Sequence, residues 1–192
     1  MTLHEHARAV LARYTHTDPQ QNELAGEYRE FLAEHPDGVW RECAPGHITA
    51  SALVIDPGAH NVLLTLHPKV GRWLQLGGHL EYNDATLQQA AIREVSEECG
   101  IRAGSISANP VRLDRHPVPC GRLADGSVRA SEHLDVQYVV VVSEMIEPVI
   151  SEESDDLRWF PRTGLPDLDS SVRALLADAA AMAESKAWVT YG

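Results

Sequence analysis

Helix-like spacing of apolar positions at both ends of this chain brackets a middle that reads as strands. Leu24, Tyr28, Phe31 and Leu32 recur at three- and four-residue steps. Asp18-Pro19 adds an N-cap followed by proline at the first helical position, so a helix is predicted over 18–34, ended by His35-Pro36-Asp37-Gly38. A shorter helix is predicted over 5–14. Residues 48–55 and 61–66 are apolar and β-branched, and Asp56-Pro57-Gly58 turns between them, so they predict a hairpin. The segment 71–76 leads into Gly77-Gly78, and a helix is predicted over 86–99 with Gly100 at its left-handed cap. Further strands are expected at 111–118, 134–146 and 157–160. A last helix over 169–185 has Val172, Leu175, Leu176 and Ala179 on one face. One helix among the strands and another after them predict an α/β sandwich on a mixed sheet, preceded by a helical extension. The division expected is 1–40 for the extension and 41–192 for the main domain.

Composition narrows the partners. The 192 residues include 16 Lys+Arg and 28 Asp+Glu, for a formal net charge of −12. Phosphate backbones would be repelled, which argues against nucleic-acid binding. An anionic small molecule would need a bound metal or a focused cationic pocket. Cys43, Cys99 and Cys120 are odd in number and lack C-x-x-C spacing, as expected of reduced thiols in a cytoplasmic protein. The N-terminal residues lack a basic stretch followed by an apolar core, so no secretory signal is expected. The longest apolar run, 136–142, contains Gln137 and Tyr138 and falls far short of the roughly 20 residues a bilayer requires.

Candidate chemistry gathers in one segment. On a helix turning about 100° per residue, Glu94, Glu97 and Glu98 share roughly a third of the circumference. Ile92, Val95 and Cys99 lie on the neighbouring arc and are free to bury against a sheet. Clustered carboxylates repel one another, and the negative end of the helix dipole adds to the penalty. Two explanations stay open on the residues alone: a solvated acidic face, or a hard divalent cation that relieves the repulsion. The adjoining Gly77-Gly78 would let a backbone approach a ligand closely.

The whole segment resembles the Nudix box, G-x5-E-x7-R-E-U-x-E-E-x-G-U with U aliphatic. Arg93-Glu94-Val95-Ser96-Glu97-Glu98-Cys99-Gly100-Ile101 matches its second half at every specified position, and Gly78 matches the opening glycine. Asp84 stands where the first Glu is expected, with eight residues rather than seven before Arg93. The resemblance implies a Nudix α/β/α sandwich and a pyrophosphohydrolase acting on a nucleoside diphosphate linked to another moiety. It implies Mg²⁺ or Mn²⁺ at Glu94, Glu97 and Glu98, with the Gly77 carbonyl as a further ligand. Arg93 would orient the carboxylates and pair with either Asp84 or Glu81. Metal-activated water would attack, with a carboxylate as general base. Glu153, six residues before Trp159 in what looks like the family's late acidic loop, is the candidate base.

Several residues outside the box are weaker candidates. Trp73 offers either core packing or a stacking platform for a base. His79, His116 and His133 are candidates for phosphate contact, and Asp135 for a substrate contact or a supporting position. Pro117 stands sixteen residues past the box, where the family's ADP-ribose pyrophosphatases carry a proline. The two N-terminal helices suit a dimer contact, a lid or core packing. A competing expectation is a non-catalytic Nudix sensor of nucleotide conjugates; such proteins usually carry a DNA-binding domain, for which some thirty residues after Pro161 leave little space. An isomerase on the same fold would need Cys surroundings that this sequence lacks.

Overall fold

The computed structural model describes residues 1–122, 128–145, 147–150, 154–182 and 187–192, with side chains placed outside 119–130. Helix α1 spans Leu3–Arg13, where Thr2 and Glu5 close a reciprocal capping box. Helix α2 spans Pro19–Glu34, and the Asp18 side chain accepts from the Gln20 amide at 3.0 Å, as its sequence predicts. The strands are β1 (His47–Ile55), β2 (Asn61–His67), β3 (Arg72–Leu74) and β4 (Leu76–His79), then β5 (Gly104–Ser107), β6 (Arg112–Arg122), β7 (Val128–Val142), β8 (Asp156–Pro161) and β9 (Trp188–Tyr191). Helix α3 (Leu87–Cys99) follows β4, and α4 (Ser170–Met182) follows β8.

All nine described strands form one mixed sheet in which β1 and β7 run parallel in the middle. The expected α/β/α sandwich is present. The even positions of β1 (Ile48, Ala50, Ala52, Val54) join a core with α1, α2 and α3. Leu53 and Ile55 face the other way into a second core with Val172, Leu175 and Leu176 of α4. Strand alternation thus hands each layer its own apolar set.

The structure corrects three sequence expectations. The stretch 71–76 is not one short segment but parts of β3 and β4. Gly77, a loop position by the family resemblance, lies with Gly78 inside β4, opposite Ser51 and Ala50 of β1. Strands β5 and β9, which pair with one another, were not expected at all. The helices meant as an extension share the main core: Leu11, Tyr28 and Leu32 are fully buried in it. Gln21 also reaches β6, its Nε2 donating to the Leu113 carbonyl at 3.0 Å and its Oε1 accepting from the Leu113 amide at 2.8 Å.

Candidate active site

Helix α3 carries the box because its apolar arc is buried on the sheet while its next arc faces the glycines of β4. Leu87, Ala91, Val95 and Cys99 are fully buried. Thr86 caps the start by accepting from the Gln89 amide at 3.0 Å, and Gly100 ends the helix in the left-handed conformation at φ 76°.

The guanidinium of Arg93 organises the carboxylates. Its Nε and Nη2 donate to the two oxygens of Asp84 at 3.2 and 3.0 Å, a bidentate fork. Nη1 donates to Glu94 at 3.0 Å and to Glu97 at 2.9 Å, and Nη2 also reaches the His79 carbonyl at 2.8 Å. Glu81 approaches only to 4.0 Å and is more than half exposed. Asp84 is therefore the arginine's partner. Burial opposes the positive charge, but the Asp84 hydrogen bonds and the neighbouring Glu94 hold the Arg93 pKa above its ordinary value. One cation thus offsets much of the repulsion that the sequence alone leaves unanswered.

The glycines fit around these acids. The Gly77 amide donates to Glu98 Oε1 at 2.7 Å. A Cβ on Gly77, at φ +156°, would sit 2.3 Å from Ser51 Cβ and 2.5 Å from its Cα. A Cβ on Gly78 would sit 2.9 Å from the Glu94 carboxyl. The absent side chain at Gly78 is what admits Glu94 to the sheet. Glu94 and Glu98 are buried, whereas Glu97 is exposed. Two buried carboxylates and one exposed one beside strand backbone are oxygen donors suited to a hard divalent cation.

The opposite face of the sheet is polar over its outer half. On β1, His47, Thr49 and Ser51 precede Leu53 and Ile55, so the face changes character partway along one strand. Asp135 on β7 is buried there and accepts from Ser51 at 2.6 Å, Thr49 at 2.9 Å and Gln137 at 3.1 Å. Burial raises its pKa despite these donors. Beside it the rings of His47, His79 and His133 meet, with centroids 4.9 to 5.1 Å apart in all three pairs. Burial first, then the neighbouring imidazoles, hold the His133 pKa down to about 3. His116 lies 5.4 Å from His133 by centroid, and its Nδ1 pairs with the Asp114 carboxylate at 2.7 Å. That bond raises the His116 pKa.

Not every sequence candidate gathers here. Trp73 packs edge-on against Phe160 at 4.7 Å and lies under the Arg158 guanidinium, against the α4-side core. Pro117 is an exposed residue of β6 opposite Glu132. Glu152 and Glu153 lie outside the described residues. Sequence reading passed over His47, although alternation through Thr49 and Ser51 is a signal that the strand's first positions share a polar face. It also passed over Trp40 and Tyr82, whose rings lie 4.3 Å apart, tilted by 32°, beside Glu81 at a hollow of about 260 Å³. Cys43 and Cys99 are buried thiols rather than disulfide halves, and the Cys120 side chain lies outside the described set. Among the described residues no helix is long and apolar enough to cross a membrane.

The model of the NUDIX domain family matches residues 45–179. Among solved structures, a NUDIX-family hydrolase from Clostridium perfringens is 22% identical, with 72% of this chain and 98% of that one covered at a TM-score of 0.50. RenU, a Nudix hydrolase from M. smegmatis, is 20% identical over 74% of this chain and 88% of its own, at a TM-score of 0.49. The NUDIX domain of Shewanella oneidensis NrtR, solved with ADP ribose, is 20% identical over 80% and 97%, also at 0.49. No curated protein matches the chain.

Proposed function

This chain belongs to the NUDIX family, and from that premise we propose that it is a metal-dependent hydrolase of a nucleotide-type small molecule. Its substrate is a nucleoside diphosphate joined to another moiety, and the bond cut is the diphosphate linkage. The observation that carries this reading is the carboxylate cluster tied together by Arg93 and seated on two strand glycines.

Glu94, Glu97 and Glu98, with the Gly77 carbonyl, would hold Mg²⁺ or Mn²⁺. When bound, such a cation neutralises phosphate charge and lowers the pKa of a coordinated water. The chain's residues supply the rest. Arg93 fixes Glu94 and Glu97 while its own position is set by Asp84, so their orientation does not depend on long flexible side chains finding one geometry. The Gly77 amide holds Glu98 in the same way. Glu153 is the proposed base, taking the proton of the attacking water. His79 and His133, on the polar sheet face, are proposed to meet the substrate, and Asp135, buried beside them with its oxygens held by Ser51, Thr49 and Gln137, is proposed as their supporting residue. Trp73 is left out of that set because its ring is occupied by Phe160 and Arg158.

The test is a panel of nucleotides and nucleotide conjugates incubated with Mg²⁺ or Mn²⁺ and assayed for released monophosphate. Cleavage of at least one conjugate, abolished by chelation and restored by metal, is expected. Failure on the whole panel, or full turnover after exhaustive chelation, would overturn the proposal.

A further inference from the structure

Three histidines from three strands converge on the polar sheet face. His47 of β1 stands directly opposite His133 of β7 in the parallel pair, and His79 of β4 stands opposite Thr49, two residues along β1. Residues two apart on a strand share a face, so this register alone puts the three side chains on one side. Their potential ligand nitrogens all lie within 4.8 Å of one another, with His47 buried and the other two half-buried.

We propose that His47, His79 and His133 form a transition-metal site, distinct from the carboxylate cluster, for a borderline cation of the Zn²⁺ or Co²⁺ class. Imidazole nitrogen suits such ions, whereas Mg²⁺ selects oxygen. Nitrogens bound to one Zn²⁺ at about 2.0–2.1 Å lie roughly 3.3 Å apart, so small ring rotations close the remaining gap. Three imidazoles leave a tetrahedral ion one further position, the arrangement of sites that admit water or a substrate oxygen. A phosphate would instead need protonated rings. Metal binds the neutral imidazole. His116, bound to Asp114, stands next to His133 and supplies an imidazole–carboxylate pair at the edge of the trio. The site is also joined to the box, because the His79 carbonyl accepts from Arg93.

The proposal does not depend on hydrolase activity, and its test reads metal directly. The full chain, stripped by chelator and then kept in saturating Mg²⁺, is titrated with Co²⁺, with Zn²⁺ as competitor. The wild type should take up one equivalent of Co²⁺, show the visible bands of a four-coordinate site with three imidazole nitrogens, and lose them to Zn²⁺. His79→Gln and His133→Gln should each weaken binding by more than about 100-fold, because changes merely next to a metal ligand already cost about 10–100-fold. Glu97→Gln and Glu98→Gln should retain it. Should a histidine variant fail to fold, paramagnetic shifts of the three histidine rings in Co²⁺-loaded wild type read the same contact. Co²⁺ uptake that survives both histidine changes, or that is lost in the glutamate variants, would overturn the site. So would the absence of uptake above Mg²⁺, or histidine rings unshifted by Co²⁺.

Discussion

Replacing Asp84 with asparagine tests whether the shortened, displaced acid of the box anchors Arg93. The Asp84 carboxylate accepts three bonds, two from Arg93 and one from the Glu81 amide at 2.8 Å. Its side chain is 5% exposed and that of Arg93 is 20% exposed. Breaking a buried ion pair by removing one partner costs about 3–5 kcal/mol. Arg93 keeps Glu94, Glu97 and the His79 carbonyl, so the lower end, about 3 kcal/mol, is expected for Asp84→Asn. For a chain of this length each kcal/mol moves Tm by about 2–4 °C, giving a drop of about 10 °C. Urea unfolding of Asp84→Asn, Arg93→Met and the double variant should return a coupling of about 2 kcal/mol. Glu81→Gln, at an exposed carboxylate 4.0 Å away, should cost less than about 0.5 kcal/mol. Additivity of the Asp84 and Arg93 changes within about 0.5 kcal/mol would refute the pairing, as would a coupling to Glu81 of equal size.

Three other outcomes are expected. Gly77→Ala should lose about 1–3 kcal/mol or more in denaturant unfolding, because its Cβ meets Ser51 backbone; Gly78→Ala should fold better but bind Mn²⁺ weakly, since its Cβ displaces only the Glu94 carboxyl. Glu153→Gln should lower kcat by about 10²–10⁴ with Mn²⁺ affinity kept, whereas Glu94→Gln should weaken Mn²⁺ itself, and equal effects on affinity would merge the two roles. Burial pushes the Cys99 thiol up to about 11 from 9.0, so the unfolded chain releases that proton first; its contribution to stability is present below pH 9 and lost as pH rises toward 11, and Cys99→Ala should flatten that limb of the unfolding midpoint against pH.

The box helix was legible because its signals are local: a run of apolar positions at helical spacing and a glycine at the end. The same holds for Asp18 at the start of α2. The displaced acid was legible as a departure, but its resolution was not. A turn in which the Asp84 amide bonds the Glu81 carbonyl at 2.9 Å brings the shorter carboxylate to Arg93, and no sequence rule selects that turn over one favouring Glu81. The resemblance implies a loop position for Gly77, yet pairing with β1 places Gly77 and Gly78 in a strand. Strands β5 and β9 are four residues each and pair across more than 80 positions of chain, so nothing near either one announces the other. The histidine trio was unreadable for a related reason. Its members are single residues on β1, β4 and β7, and only the register of a mixed sheet brings them together.

Gln21 has a consequence for where this protein can be cut. By bonding both the amide and the carbonyl of Leu113, one side chain occupies part of the outer edge of β6 as a neighbouring strand would. A fragment trimmed to residues 45–179 keeps every acid of the box. It also leaves that edge bare, together with the apolar surface that Leu11, Tyr28 and Leu32 cover. Bare strand edges recruit other chains. The first two helices therefore act as a guard in cis against edge-to-edge association, and the fragment would be lost to aggregation before its chemistry was ever at issue.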